Sequence, residues 1–295
     1  PISTDYRGVT CWELPPSDHG LAALEALNIA EGFDIPSMGA QSADAYHHLV
    51  ESMRLAFADA FRYIADPSKV AVPTEELLSK VFAAQRRSLV DPTQAMTTVP
   101  YGQVQTAGDT VYISVVDGKG NACSFIYSVY SNFGTGMVVP GTGIVMHNRG
   151  SLFSLDKDHP NALAPSKRPY HTIIPGMTTV DGELQLCYGV MGAFMQPQGH
   201  LQVISNMVDF GMDPQQALNA LRFMISSDVV SLEEGVPPEL VTELERRGHR
   251  TTIISSYYRG ITGGVGGAQM IQRDPATGVL RGASEPRKDG CAVGW

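Results

Sequence analysis

Cysteine is scarce in this 295-residue sequence, and long apolar runs and an excess of positive charge are missing from it. Its four cysteines, Cys11, Cys123, Cys187 and Cys291, are far apart, with no Cys-x-x-Cys and no histidine at zinc-ligand spacing. That excludes a dense disulfide framework and leaves no local metal motif. Cys123 and Cys187 lie in apolar runs and read as buried free thiols. Lys and Arg number 21 against 30 Asp and Glu, a net charge of −9, which argues against nucleic acid or an anionic membrane surface as partner. No run approaches the roughly 18 apolar residues needed to span a bilayer. Pro1-Ile2-Ser3-Thr4 has neither the basic start nor the apolar core of a signal peptide. The first residue is not Met, so the sequence reads as starting inside a longer chain, and the compartment (cytoplasm, periplasm or outside) stays open. Gly263-Gly264-Val265-Gly266-Gly267 precedes a strand-like run rather than a helix, a poor phosphate loop. The adjacent His47 and His48 fall in a helical pattern and read as surface residues rather than ligands. No cofactor and no metal are expected.

What the sequence does hold is apolar content of 43% and charge of 17%, ample for a core. Residues 6–14 read as a strand closed by Pro15-Pro16. Ser17 or Asp18 can cap a helix to Glu31, with Gly32 ending it. Ser42 precedes a stronger helix in which Tyr46, Leu49, Val50, Met53, Phe57 and Phe61 recur at three- and four-residue steps until Asp66-Pro67. Residues 75–89 form a third, started by Thr74. Residues 91–109 show neither helical nor strand period and read as a loop. Further on, 183–188 is a strand, 198–209 a helix, 214–223 a helix started by Asp213-Pro214, 238–247 a helix, and 269–273 with 278–283 a hairpin. Pattern alone says mixed α and β.

The most informative stretch runs from Gly108 to Val129. Val111 to Val116 is β-branched and alternating, Asp117 to Asn121 supplies turn residues, and Cys123 to Val129 returns, so a β-hairpin is predicted with Thr110 at its head. The longer pattern joins Thr110-x-x-x-Ser-Val-Val-Asp-x-x-Gly-Asn-Ala to Phe133-Gly134-Thr135-Gly136 and Pro140-Gly141-Thr142-Gly143-Ile144. It continues through Asn161-Ala162-Leu163-Ala164-Pro165, Lys167-Arg168-Pro169 and Gly282-Ala283-Ser284-Glu285-Pro286-Arg287. This ordered set resembles the γ-glutamyltranspeptidase family of N-terminal nucleophile hydrolases, its acylase-like branch included. The resemblance implies an α+β fold, a four-layer αββα sandwich. It also implies self-cleavage between Asp109 and Thr110. Residues 1–109 would then be the end of a large subunit, helical plus a processing loop. Residues 110–295 would be the small subunit, and the two would form one intertwined domain. The family's earlier large-subunit portion, with an arginine that holds the substrate carboxylate, has no counterpart here, and the chain is expected to pair with it.

The chemistry suits a threonine at a chain start. A hydroxyl is a weak nucleophile and needs a base beside it. A freed α-amine, with a pKa of about 7.7–8, is a base carried on the same residue. The resemblance makes Ser128 the second hydroxyl, bonded to the nucleophile. It makes Gly189-Val190-Met191-Gly192-Ala193 the turn whose consecutive N–H groups, at Gly192 and Ala193, stabilise the oxyanion. Ala193 replaces the second glycine there, which is tolerable if its φ is negative.

The substrate-binding positions depart from the transpeptidase pattern. His171-Thr172 stand where the family has a Ser-Ser pair, Tyr130 where it has Asn, and Arg149 where it has Gln or Glu. Leu152 falls where an aspartate binds the substrate α-ammonium, and leucine has neither charge nor acceptor. A site that loses an anion and gains a cation should prefer an acyl group with a carboxylate and no ammonium. The expectation is therefore a self-processing amidohydrolase or acyltransferase, made as a zymogen. It would pass a glutaryl-like or γ-glutamyl-like acyl group from a small-molecule amide to water or an amine. The alternatives are a true γ-glutamyl transpeptidase or glutathione hydrolase, which would place the chain in glutathione metabolism, and an uncleaved, non-catalytic relative.

Overall fold

The computed structural model describes residues 1–99, 109–255 and 264–295. Two short strands, β1 (Ile2–Tyr6) and β2 (Val9–Glu13), form a hairpin turned at Arg7-Gly8, where a single strand was expected over 6–14. The helices α1 (Gly20–Glu31), the one-turn α2 (Ile35–Met38) and α3 (Ala43–Tyr63) follow. Ser42, which the sequence places just before this helix, caps α3 by accepting from Ala45 N–H. The helix expected over 75–89 is two, α4 (Thr74–Leu77) and α5 (Lys80–Arg87), because Ser79 restarts the chain by accepting from Phe82 N–H. Then come β3 (Asp109–Val116), β4 (Ala122–Tyr130), a 3₁₀ turn at Arg149–Leu152, β5 (Gly176–Val180) and β6 (Glu183–Met191). The chain closes with α6 (Met195–Val208), α7 (Pro214–Asn219), β7 (Phe223–Ser226), β8 (Val229–Glu233), α8 (Pro238–Arg246), β9 (Arg250–Ile254), β10 (Gly267–Arg273) and β11 (Leu280–Ser284).

Six strands make one antiparallel sheet in the order β1-β2-β5-β6-β10-β11, while β3-β4 and β7-β8-β9 are separate. Side chains alternate along β6, and this sets the layers. Val190 meets Gly199 of α6, where a Cβ would stand 2.6 Å from Val190 Cγ1. Gly189, on the opposite face, meets the Tyr112 ring of β3, where a Cβ would stand 2.3 Å from Tyr112 Cε2. Helices therefore cover one face and the β3-β4 hairpin the other. The result is helix, sheet and hairpin stacked, with mixed α and β as expected; the six-stranded sheet and the hairpin are antiparallel, and β8 and β9 pair in parallel.

The helical layer is built for burial. Every residue of α1 from Gly20 to Ala30 is buried, so it is a central helix packed on all sides. His47 and His48 of α3 are buried as well, which corrects their surface reading. His47 Nδ1 meets His249 Nε2 at 2.8 Å, and His47 Nε2 meets the Asp91 carbonyl at 2.8 Å. The region 214–223, expected to be one helix, holds a capping box at Asp213 and Gln216 but ends at Asn219. Phe223 instead opens β7, whose edge is held by two glutamines of α6. Gln202 exchanges two hydrogen bonds with the Phe223 backbone and Gln198 two with Ile225, at 2.6–3.1 Å. Residues i and i+4 on a helix thus satisfy alternate residues of a strand edge.

Candidate active site

Thr110 and Ser128 are cross-strand partners at the open end of the β3-β4 hairpin, just after a register shift between Asp109 and Thr110. Thr110 Oγ1 donates to Ser128 Oγ at 3.1 Å, and Ser128 Oγ also accepts from Tyr130 N–H at 3.0 Å. The hydroxyl pair thus sits on the inward face of the hairpin. Along that face Ser114 Oγ donates to the Cys187 carbonyl at 3.3 Å, and the Tyr112 ring covers Gly189. Each two-residue step back along β3 is a two-residue step forward along β6. Thr110 is therefore carried to the end of β6, at Met191 and the Gly192 turn.

That turn has the geometry of a donor pair. Gly192 lies at φ +124°, and a Cβ there would stand 3.1 Å from Met195 Cβ and 3.2 Å from Gly266 Cα. Only glycine fits without strain. Ala193 follows at φ +52°, so the condition of a negative φ, under which alanine would sit there without strain, is not met. Among the described residues, neither Gly192 N–H nor Ala193 N–H donates to a protein acceptor, while their carbonyls accept from Met195 and Gln196 to open α6.

Tyr130, Arg149 and Thr172 come together beside this end. Tyr130 is buried with φ +78°, and the Arg149 guanidinium carbon lies 5.4 Å from its ring centroid. Arg149 is 2% exposed, not a surface cation, and its Nη1 donates to Thr172 Oγ1 at 2.8 Å. Burial lowers its pKa, against the nearby Asp18 carboxylate, which raises it. His171 is turned away: its Nδ1 meets the Pro169 carbonyl at 2.7 Å and its ring faces His147 at 6.4 Å, and burial holds it below the ordinary histidine range. Leu152 packs against the core, and Cys123 is exposed where a buried thiol was expected.

Residues that sequence reading missed complete the cluster. Asp18 caps no helix; it forms a bridge with His171, and burial pushes its carboxyl up to about 7 against the opposing pull of Arg149. Among the described residues, Asp18 Oδ1, Arg149 Nη2, Tyr130 Oη and Tyr170 Oη are buried without a hydrogen-bond partner. Three such oxygens together with a nitrogen of the guanidinium mark a place where a polar ligand or water belongs. The signal for Asp18 was faint: a polar Ser17-Asp18-His19 tripeptide wedged between Pro15-Pro16 and an apolar helix. Among the described residues no His, Cys, Asp and Glu group suits a metal ion. No helix among them is long and apolar enough to cross a membrane. The glycine-rich run at 263–267 lies partly outside the described residues, as do 100–108 of the expected processing loop.

Comparison with known proteins gives one consistent result. The profile of the family described as Gamma-glutamyltranspeptidase matches residues 1–295. The glutathione hydrolase-like YwrD proenzyme of Bacillus subtilis is 36% identical over 300 residues, covering 100% of this chain and 55% of its own length. The oxamate amidohydrolase proenzyme of Klebsiella pneumoniae is 34% identical with the same coverage. Among solved structures, a cephalosporin acylase from Bacillus halodurans superposes with a TM-score of 0.91 at 47% identity, over 100% of this chain and 53% of that one. A γ-glutamyltranspeptidase chain from Pseudomonas nitroreducens matches with a TM-score of 0.54 at 26% identity, over 62% of this chain and 98% of its own. The chain spans about half the length of the curated relatives it matches.

Proposed function

Because the chain belongs to the γ-glutamyltranspeptidase family, we propose that it is the nucleophile-bearing part of a self-processing amidohydrolase with Thr110 as nucleophile. The observation that carries this is the 3.1 Å bond from Thr110 Oγ1 to Ser128 Oγ at the head of β3, alongside the end of β6, where Gly192 N–H and Ala193 N–H have no protein acceptor among the described residues. Thr110 Oγ attacks the Asp109 carbonyl, the C–N bond breaks as nitrogen takes a proton, and water opens the resulting ester. Thr110 then carries a free amine that accepts the Oγ proton as the oxygen attacks a substrate amide. Gly192 N–H and Ala193 N–H stabilise the oxyanion, the leaving amine takes the proton, and an acyl-Thr110 ester remains for water or an amine acceptor. Residues 1–109 and 110–295 are the two products of processing. The match of a single transpeptidase chain to 62% of this one supports that division, since residues 110–295 are about that share. The remaining length of the relatives supports pairing with a further large-subunit portion and a fourth, helical layer over the hairpin.

The acyl group carries a carboxylate, as in glutaryl amides. Arg149 is buried with one nitrogen unpartnered among the described residues, and Leu152 offers no anion for an ammonium. One observation favours the γ-glutamyl reading instead. Asp18, within electrostatic reach of Arg149, has an unpartnered oxygen that could take over the ammonium. Rates on glutaryl-p-nitroanilide and γ-glutamyl-p-nitroanilide decide between them. The proposal expects glutaryl to be faster by at least tenfold; the reverse order, abolished by Asp18→Asn, overturns the acyl assignment. A Thr110→Ala protein with full amidase activity overturns the whole reading.

A further inference from the structure

Behind the Gly192 turn, on the face of β6 opposite Thr110, lies a buried pair that the chemistry above does not use. His200 of α6 and Glu13 of β2 are both fully buried, with His200 Nδ1 at 2.5 Å from Glu13 Oε1. Tyr188 Oη also donates to Glu13 Oε1, at 3.3 Å, and its ring centroid is 4.7 Å from that of His200. The other imidazole nitrogen, Nε2, accepts the Val190 backbone N–H at 3.3 Å. An accepting Nε2 carries no proton, so the ring proton is on Nδ1 and points at Glu13.

Sheet register explains why Val190 needs this acceptor. Val190 is opposite Ala268 on β10, but Ala268 N–H donates to Glu285 Oε2 at 2.8 Å, so the two residues exchange no ladder bonds. Val190 N–H therefore points toward β5, whose ladder with β6 begins only at the Gly176–Tyr188 pair. Past that pair no strand acceptor exists among the described residues, and a buried N–H without one is not tolerated. Gly199, which lets Val190 approach α6 closely, completes the seat. Val190 is two residues before Gly192.

We propose that His200, held by Glu13, is a positioning residue: it fixes Val190 and thereby the height at which Gly192 N–H and Ala193 N–H meet the oxyanion. This rests on the assignment of that turn to the oxyanion. Asn and Gln divide the histidine in two, because Asn places an amide group near the Nδ1 position and Gln near the Nε2 position. His200→Asn keeps the bond to Glu13 and loses the acceptor for Val190; His200→Gln does the opposite.

The test compares both variants by kcat and KM on glutaryl-p-nitroanilide, and by Val190 amide hydrogen exchange. Donors that act in the transition state change kcat rather than KM. The expected result is a kcat loss of about 100-fold for His200→Asn, the size of losing an oxyanion donor, with KM within twofold and faster Val190 exchange. His200→Gln should stay within fivefold of the parent, with exchange unchanged. Equal losses in both variants, or near-parent kcat in both, overturn the proposal. A parent protein that shows no acyl-enzyme burst overturns the active-site reading instead. In that case the exchange comparison still decides whether His200 holds Val190, and unchanged exchange in His200→Asn overturns it.

Discussion

Ala193 stands in the left-handed region at φ +52°, where a Cβ costs roughly 1–2 kcal/mol. Ala193→Gly should therefore raise the melting temperature by about 2–4 °C, with amidase activity within threefold because the proposed role of this residue uses only its backbone N–H. A lower melting temperature would contradict the strain assigned to this position. Gly192 is the converse case: at φ +124° and 3.1 Å from Met195 Cβ, Gly192→Ala has to shift the turn. At Arg149, replacement by Gln should cost glutaryl-p-nitroanilide about 100-fold in kcat/KM while leaving a neutral butyryl amide within threefold. Loss of both alike would make Arg149 a scaffold residue. The two halves of this site differ in how readable they were. Thr110, Ser128 and Gly192 lie within short ordered motifs. Asp18 and Tyr170 join Arg149 only through contacts between segments some 130 and 20 residues away in sequence, and no spacing rule brings these together.

At the scale of elements, the hairpin was legible because its period-two pattern and Asp117-to-Asn121 turn are local signals; Asp117 accepts from both Lys119 and Asn121 N–H. The caps at Ser42 and Asp213 were legible for the same reason. The strand β7 was not, because its edge is completed by glutamine side chains from α6, a tertiary arrangement that helix-forming propensity outweighs in a window of sequence. His47 and His48 looked like surface residues because a helical pattern does not reveal that β9's approach and the 91–99 segment cover that side. Their burial has a consequence for pH. Desolvation lowers His47 to about 4 and His249 to about 3, so the folded state binds their protons more weakly than the unfolded chain, whose histidines titrate near 6.5. Their contribution is complete above 6.5 and is lost as pH falls toward 4 and 3. Unfolding free energy should drop by about 3 kcal/mol between pH 7 and 4 through each histidine of this pair. His249→Gln should flatten that slope, and an unchanged slope in the variant would place the pH dependence elsewhere.

At the scale of the whole molecule, the hairpin is inverted relative to an ordinary surface sheet. Its inward face carries Thr110, Tyr112, Ser114, Ser124 and Ser128. Its outward face carries Val111, Ile113, Val115, Phe125 and Tyr127, each about half exposed. A contiguous apolar patch of this kind is a contact surface, and the proposed fourth layer is its occupant. Prepared alone, the chain should self-associate in light scattering at micromolar concentration, and Phe125→Ser with Tyr127→Ser should shift it toward monomer. A monodisperse parent chain would argue against the proposed fourth layer. Beneath the sheet, Glu285 joins Ala268 N–H to Arg222 and Arg287, which ties the Gly282-to-Arg287 motif to the strand beside the Gly192 turn. The most direct test of the central claim is N-terminal sequencing with intact-mass measurement on amidase-active protein. A fragment starting Thr110-Val111-Tyr112, its mass matching residues 110–295, is the predicted result. Activity carried by protein still joined between Asp109 and Thr110 would contradict it.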